Sequence, residues 1–189
     1  MLKDLVLKNR SYRAFDESRP ITKADMSALV DLARHVASGM NKQPLRYRIV
    51  SDIAEREKML ANTRYAGALS IKLPPEGQKP TGFIVIFNDT ETNSPDSLSF
   101  KDCGIAAQTI LLGAAEMGFG GCMLASFNAA RLCEDLSIPA RYVPLLAIAL
   151  GTPAEAVELE DADEIAAPYY RGADNVHHVP KRKLEDILL

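Results

Sequence analysis

The feature that most constrains the fold is a run of five apolar residues at positions 83–87, which reads Phe-Ile-Val-Ile-Phe. A half-buried strand would alternate apolar with polar positions. Here every position is apolar, so we expect a strand whose two faces are both covered. Residues 99–117 add a second constraint, because a helix there is apolar nearly all round and belongs at the centre of a fold or at a subunit interface. The two segments together predict a core that holds both a buried strand and a buried helix.

The rest of the chain alternates irregularly between helix and strand signals. Thr22 with Asp25 three residues later forms an acidic variant of the capping box, and Asn128 is placed to cap another helix. Gly and Pro mark residues 38–44 and 73–81 as loops. The other predicted elements are helices at Leu2–Lys8, 22–36, Ile53–Asn62 and 128–136, and strands at 47–52, 122–124 and 143–150. At least four strands and five helices without strict alternation predict the α+β class.

Composition restricts the function classes. The chain of 189 residues is 47% hydrophobic and 25% charged, with a net charge of −3, and this length predicts one domain over residues 1–189. No apolar run approaches the roughly 20 residues that cross a bilayer, and charges come too early for a signal peptide, so we expect no membrane protein. The mild acidity argues against a nucleic-acid binder. Three cysteines without a CxxC pair favour a reducing cytoplasm and no iron–sulfur or zinc centre.

Three local motifs each allow a functional and a purely structural interpretation. Two guanidiniums and a hydroxyl at residues 10–13 could bind a phosphomonoester, or the arginines could complement the negative end of the preceding helix. The amides at residues 41–44 could recognise a flat heterocycle, or they mark a loop. The glycines at residues 118–121 follow a helix and precede a strand, which is the wrong order for a dinucleotide fingerprint. They predict a helix stop with close packing, or a backbone that approaches a ligand.

The remaining reactive residues are predicted to be structural. His177 and His178 are adjacent and point opposite ways in an extended segment, so they are not expected to share a metal ion. The cysteines are interpreted as core residues, and no serine has a Gly-x-Ser-x-Gly setting. The basic run at 181–183 is typical of a solvated face. Residues 166–189 form a polar tail that cannot build a core alone, and we expect it to wrap an identical partner subunit.

The order and spacing of these motifs resemble the FMN-dependent nitroreductase family, a group of NAD(P)H:FMN oxidoreductase-like flavoproteins. The resemblance covers nearly the whole chain. The features that carry it are residues 10–13 followed by Phe15, the loop 38–44, the long helix with Asp102, Gly104 and Gln108, the glycine-rich turn before Cys122, and the Leu-Gly-Thr-Pro sequence at 150–153. The resemblance implies a three-layer α-β-α fold around a central, mostly antiparallel sheet. It also implies an intertwined homodimer in which the tail of each chain embraces the partner and adds to its sheet.

By position, the resemblance assigns one group of residues to the phosphate of FMN. This group comprises Arg10, Ser11 and Arg13, helped by Lys181 or Arg182 from the tail. The resemblance therefore favours the phosphate-binding interpretation of residues 10–13. It also gives the basic run in the tail a role other than that of a solvated face.

A second group is assigned to the flavin ring, at a site that the family builds at the dimer interface. The matching residues are Ser38, Gly39, Asn41, Gln43, Ala125 and Ser126. The first three belong to a loop that meets the ring from the other subunit, and the fourth lies close by. The last two fall where family members present backbone N–H groups to the N5 and O4 edge of the flavin.

The activity that the resemblance implies is ping-pong hydride transfer through flavin N5. NADH or NADPH reduces the flavin and leaves, and a nitroaromatic, a quinone or a similar electrophile is then reduced in its place. No side chain has to act as an acid or a base, so no catalytic side chain is assigned. The chain departs from the family pattern at Leu45, where an aromatic residue is common, in its lack of tryptophan, and in the short segment 67–80, which often builds the lid. These departures leave the electron acceptor open.

Three alternatives also stay open. A flavin-binding store or redox sensor would bind FMN without steady-state NAD(P)H oxidation. Branches of the same superfamily dehalogenate substrates or destroy flavin, and they usually carry extra lid sequence. A dimeric scaffold would bind no flavin at all.

Overall fold

A computed structural model of the chain describes residues 1–65, 67, 69, 71–162 and 168–189. Five α-helices lie in this part of the chain: α1 (Leu2–Lys8), α2 (Lys23–Ala33), α3 (Ile53–Asn62), α4 (Ser97–Glu116) and α5 (Ala129–Asp135). Its strands are β1 (Phe15–Asp16), β2 (Leu45–Val50), β3 (Gly82–Asp89), β4 (Gly120–Leu124), β5 (Tyr142–Pro153), β6 (Val157–Asp161), β7 (Tyr170–Arg171) and β8 (His177–Lys181). Short 3₁₀ turns lie at Gly39–Asn41, between α2 and β2, and at Leu184–Asp186, after β8. None of the described helices is long and apolar enough to cross a bilayer.

The central sheet is built around β5 and is antiparallel at every pairing. Strand β5 pairs with β1, β3 and β4, and β3 pairs in turn with β2. In the register of β3 and β5, Phe83 lies opposite Ala149 and Ile84 lies opposite Ile148. Residues 83–87 are each no more than 2% exposed, which confirms the prediction of a strand covered on both faces.

Helices cover the two faces of this sheet, and each face has its own apolar core. Helices α2 and α4 pack on one face, where Ile84 and Ile86 point into the core. On the other face, Phe83 and Val85 pack with Met59 from α3 and residues of α5. The alternation of side chains along β3 therefore fills both cores. The result is the predicted α+β fold with three layers, α-β-α.

The predicted helix boundaries agree with the structure where local side chains cap the helices. The Thr22 hydroxyl accepts from the Asp25 backbone N–H at 3.1 Å, while the Asp25 carboxylate accepts from the Thr22 N–H at 2.9 Å. The Asn128 side chain accepts from the Arg131 N–H at 3.0 Å and begins α5. Helix α3 spans the predicted residues. Helix α2 ends at Ala33 and is therefore shorter than the predicted helix 22–36.

The glycine-rich turn at residues 118–121 has the first of its two predicted roles, a helix stop with close packing. Gly118 has φ +85°, a left-handed conformation that ends α4 at little steric cost for glycine. A Cβ added at Gly121 would collide with the carbonyl oxygen of Ala149 on β5. The turn is therefore a helix stop followed by close strand packing.

The C-terminal tail folds back on its own chain, which the sequence did not predict. Strand β8 pairs in parallel with β6, so that Val157 lies opposite His177, and it pairs antiparallel with β7. Because these bonds join β8 to its own chain, the predicted addition of the tail to a partner's sheet is not seen in this strand and stays a prediction. Residues 166 and 167 of the predicted tail, and residues 68 and 70 of the predicted lid, lie outside the described residues.

Candidate functional site

The motif at residues 10–13 lies in the turn that connects α1 to β1, and backbone bonds fix its position. The Tyr12 N–H donates to the carbonyl oxygen of Gly121 at 3.0 Å, which joins the turn to the start of β4. The buried carboxylate of Glu155 accepts from the backbone N–H groups of Arg13 and Ala14. The motif is thus held between the central sheet and the residues that follow β5.

A cavity of about 370 Å³ opens beside this turn. The turn contributes Arg10, Ser11 and Arg13 to its wall, and the tail contributes His177 and Lys181. None of the described residues that line the cavity is acidic. The chain therefore brings four of the predicted phosphate ligands together in one basic cavity. Arg182, the fifth predicted ligand, follows Lys181 and is exposed outside this lining.

Three buried nitrogen atoms on the lining residues have no hydrogen-bond partner within the described chain: Arg10 Nε, Arg13 Nε and His177 Nδ1. Leaving a buried donor unpaired costs about 1–3 kcal/mol. Three unpaired nitrogens around one cavity therefore favour a ligand that accepts hydrogen bonds, and the surrounding cations favour an anion. These residues fit a phosphate group such as that of FMN.

Arg10 also supports the structural interpretation of the motif. Its Nη2 donates to the Val6 carbonyl oxygen at 2.6 Å and so satisfies the C-terminal end of α1. Partial burial lowers the pKa of Arg10 below its usual value. Arg10 thus satisfies the helix end through Nη2, while its Nε has no partner within the described chain.

Arg13 lies deeper and is held mainly by the tail. It is 8% exposed, and its Nη1 donates to the Ser11 carbonyl oxygen at 3.1 Å and to His177 Nε2 at 3.0 Å. The guanidinium lies over the Tyr169 ring, 5.1 Å from its centroid. Burial, and then the charge of Arg13, lower the pKa of His177. The sequence did not predict Tyr169 or His177 as site residues, because nothing local marks a tail residue as a partner of residue 13.

The loop at residues 38–44 is anchored by Asp102 on α4. The Asp102 carboxylate accepts from Ser38 Oγ at 2.6 Å and from the Gly39 N–H at 3.0 Å. Three residues of this loop without a glycine's freedom, Met40, Asn41 and Gln43, have φ of 50°, 54° and 49°. Such left-handed conformations cost energy outside glycine and cluster at functional sites. In the sequence, Asp102 is one of the features that carry the family resemblance, and it was assigned no role.

None of the predicted ring-binding residues is among the residues that line the basic cavity. Ser38 and Gln43 line a second, mostly apolar cavity of about 320 Å³, and Gly39 and Asn41 follow Ser38 in the 3₁₀ turn. Tyr47 lies in the wall of this cavity, and burial raises its pKa to about 12.

The last two predicted residues directly follow β4. Ser126 lines a third cavity of about 350 Å³ with residues 61–64, and its carbonyl oxygen accepts from the Arg64 N–H at 2.9 Å. Ala125 precedes it and is exposed. Within one chain, the predicted FMN ligands that line a cavity are thus divided among three cavities.

Comparison with known proteins shows the family. The sequence profile of the Nitroreductase family matches residues 6–152, and the chain belongs to this family. A protein of Archaeoglobus fulgidus, named as a candidate NADH dehydrogenase/NAD(P)H nitroreductase, is 26% identical over 178 residues, which cover 92% of this chain and 94% of that protein.

Solved structures agree with this assignment. A candidate nitroreductase from Desulfovibrio desulfuricans, crystallised in complex with FMN, superposes with a TM-score of 0.69 at 25% identity over 82% of this chain and 87% of that chain. A nitroreductase family protein from Streptococcus pneumoniae superposes with a TM-score of 0.71 over 100% of this chain and 99% of that chain. Its identity of 15% shows the shared fold alone.

Proposed function

We propose that this protein is an FMN-dependent oxidoreductase that takes electrons from NAD(P)H. The observation that carries the proposal is the basic cavity with three unpaired buried nitrogens on Arg10, Arg13 and His177. Family membership and the FMN complex of the Desulfovibrio relative support flavin as the ligand. Bound FMN would supply the hydride chemistry, accepting from NADH or NADPH and passing electrons to a nitroaromatic, a quinone or a similar electrophile.

The residues of the basic cavity would hold the phosphate of FMN. A phosphomonoester carries close to two negative charges, and guanidiniums bind it through charge-assisted hydrogen bonds. Arg10 Nε and Arg13 Nε are buried and unpaired, and the cavity wall also includes Ser11 and Lys181. Arg182 would add a further positive charge from the tail.

The residues assigned to the flavin ring would come from two subunits. None of the loop residues Ser38, Gly39, Asn41 and Gln43 lines the basic cavity of its own chain, and two of them line another cavity. We propose that they meet the flavin bound in the basic cavity of a partner subunit. Asp102 would then act as a positioning residue, because it holds Ser38 and Gly39 in place.

Ala125 and Ser126 would present backbone N–H groups to the flavin edge. Such donors stabilise negative charge on a reduced flavin without a side-chain acid or base. The segment is held in place because the Asn128 N–H donates to the Asn62 carbonyl oxygen at 3.1 Å, and Thr63 forms a bridge with Phe127. We therefore propose no catalytic side chain.

A homodimer is part of the proposal, and exposed apolar side chains support it. Phe100 and Ile105 on the outer face of α4 are 58% and 44% exposed. Leu2 on the neighbouring α1 and Ile187 near the C-terminus are 67% and 58% exposed. Large exposed apolar surfaces are typical of sites where another chain binds.

The cytoplasm, a reducing compartment, is the location proposed for an enzyme with three free cysteines.

The first experiment is an absorption spectrum of the purified protein with FMN, before and after anaerobic addition of NADH and then of NADPH. A bound-flavin spectrum that bleaches with either nucleotide supports the proposal and shows which donor is preferred. A bound flavin that neither donor bleaches favours a store or redox sensor instead. A protein that binds no FMN overturns the proposal and leaves a scaffold.

Turnover with added acceptors then separates the enzyme classes. Oxidation of NAD(P)H that depends on a nitroaromatic or a quinone supports the proposed reaction. Release of halide from a halogenated aromatic, or loss of the flavin itself, would instead indicate one of the other branches of the superfamily.

A further inference from the structure

The hydrogen bond between Arg13 and His177 determines which nitrogen of the imidazole carries a proton. A guanidinium has only N–H donors and no acceptor. In the contact of 3.0 Å between Arg13 Nη1 and His177 Nε2, the imidazole nitrogen must therefore be the acceptor. A neutral imidazole carries one proton, so the proton lies on Nδ1. Burial and the neighbouring guanidinium both favour this neutral form.

The Nδ1–H donor has no partner within the described chain. His177 is 1% exposed, and Nδ1 is buried without a hydrogen bond. The residue lines the same basic cavity as Arg10 and Arg13. The imidazole therefore accepts from Arg13 through its only acceptor and keeps an unpaired donor, on a residue that lines the basic cavity.

We propose that His177 is a ligand of the bound phosphate, donating from Nδ1–H to a phosphate oxygen while its Nε2 holds Arg13 in place. The inference rests on the proposed function, in which the ligand is the phosphomonoester of FMN. It assigns to the tail a neutral donor in addition to the cation of Lys181. The same side chain is then both a phosphate ligand and a positioning residue for Arg13.

The surroundings of His177 hold its ring in one orientation. His177 is the first residue of β8, and it pairs with Val157 on β6 and with Arg171 on β7. The Tyr169 ring packs against it, with 5.1 Å between the ring centroids. Arg171 also donates to the carboxylate of Glu155, which in turn accepts from the Arg13 backbone N–H. The imidazole, the guanidinium and the turn at residues 10–13 thus form one connected unit.

The test compares FMN with riboflavin, which has the same ring and lacks the phosphate. Fluorescence titration gives the ratio of the two dissociation constants for the wild type and for H177Q and H177N. Glutamine keeps a polar group at the position of Nε2 and leaves nothing at Nδ1, whereas asparagine keeps a donor near Nδ1. We expect H177Q to weaken FMN binding by about 10-fold or more, with riboflavin affinity unchanged. H177N should keep more of the preference for FMN.

His178 provides the matched control, since it is the next residue on the same strand and does not line the cavity. Its Nδ1 lies 3.4 Å from Glu160, and its ring stacks on Tyr170. We expect H178Q to keep the wild-type ratio. Equal loss of FMN and riboflavin affinity in H177Q would indicate a structural role for His177 and would overturn the inference. An unchanged ratio in H177Q would overturn it too.

A measurement on the wild type removes the dependence on folding of the variants. With ¹⁵N-labelled histidine, substitution of His35 and of His178 assigns two of the three imidazoles, and the remaining resonances belong to His177. We expect His177 to be protonated on Nδ1 and its resonance to shift on addition of FMN and not of riboflavin. A His177 resonance that responds equally to both flavins contradicts phosphate ligation. A wild type that binds neither flavin overturns the proposed function, which is a different result from a phosphate preference that H177Q retains.

Discussion

The carboxylate of Asp102, in the second turn of the long helix α4, holds the hydroxyl of Ser38 at 2.6 Å. The same hydroxyl accepts from the Gln43 N–H at 3.0 Å, so it closes the loop between them. Because Met40, Asn41 and Gln43 have left-handed backbones, the loop needs such fixed contacts to keep one conformation. A buried helix therefore stabilises the conformation of the segment proposed to meet the flavin of the partner subunit.

Replacement of Asp102 by asparagine is expected to loosen this loop. An amide has one acceptor oxygen where the carboxylate has two, so one of the bonds from Ser38 Oγ and the Gly39 N–H is weakened. We expect a loss of about 1–3 kcal/mol in the free energy of unfolding, measured by urea denaturation. FMN and riboflavin affinities should fall together, because the loop is proposed to contact the ring rather than the phosphate.

Asp31 on α2 is the control for this substitution. It pairs with Arg34 at 2.6 Å, and both side chains are more than 60% exposed. Exposed pairs contribute little to stability, so Asp31→Asn should change the free energy of unfolding by less than about 0.5 kcal/mol. Equal losses for both substitutions would show that Asp102 has no special role in the loop.

Local signals explain how much of this fold is predictable from sequence. The pair Thr22 and Asp25 caps its helix through contacts three residues apart, and the all-apolar run 83–87 indicates a covered strand whatever its partners are. Strand β8 carried no such signal. Its pairing with Val157 and neighbouring residues depends on a return of the chain that no local pattern records.

The residues of the site also divide into those that a local sequence pattern marks and those that it does not. The motif at residues 10–13 was recognisable because its cations and hydroxyl are adjacent in sequence. Glu155 and His177 were missed, although both are buried against Arg13. A polar residue is buried at low cost only when a partner satisfies it, and here the partner is more than 140 residues away. The separation of the predicted ligands among three cavities likewise depends on the tertiary fold.

Arg13→Ala is expected to weaken FMN binding strongly. The loss of one charge-assisted contact with a phosphate corresponds to about 2–3 kcal/mol, or about 30- to 150-fold in the dissociation constant. Riboflavin affinity should change far less, and a flavin titration measures both. Arg131→Ala is the control, since Arg131 lies on α5 with its side chain 60% exposed and pairs with Asp135. Unchanged FMN affinity in Arg13→Ala would remove this residue from the phosphate site.

Ile105→Asp tests the proposed dimer. Ile105 is 44% exposed on the outer face of α4, and a carboxylate buried there between two subunits would be costly. We expect sedimentation velocity to show a shift from dimer to monomer, accompanied by loss of flavin, because part of the ring site is proposed to come from the partner. Ile53→Asp places the same change on α3, where the side chain is 68% exposed, and should leave the dimer intact. A wild-type monomer that binds FMN would contradict the two-subunit site.

Lower pH is expected to destabilise the protein through His177. Burial, and then the charge of Arg13, lower its folded-state pKa below 6.5; Arg171 and His178 act in the same direction, and Glu155 opposes them. The unfolded chain binds the proton more readily, so the free energy of unfolding rises with pH across this window. The contribution is complete above about pH 6.5 and is lost progressively as the pH falls below it. Urea denaturation at pH 5.5 and pH 7.5 measures the difference. It should shrink in His177→Gln and persist in His178→Gln, and a full pH dependence in His177→Gln would show that another group is responsible.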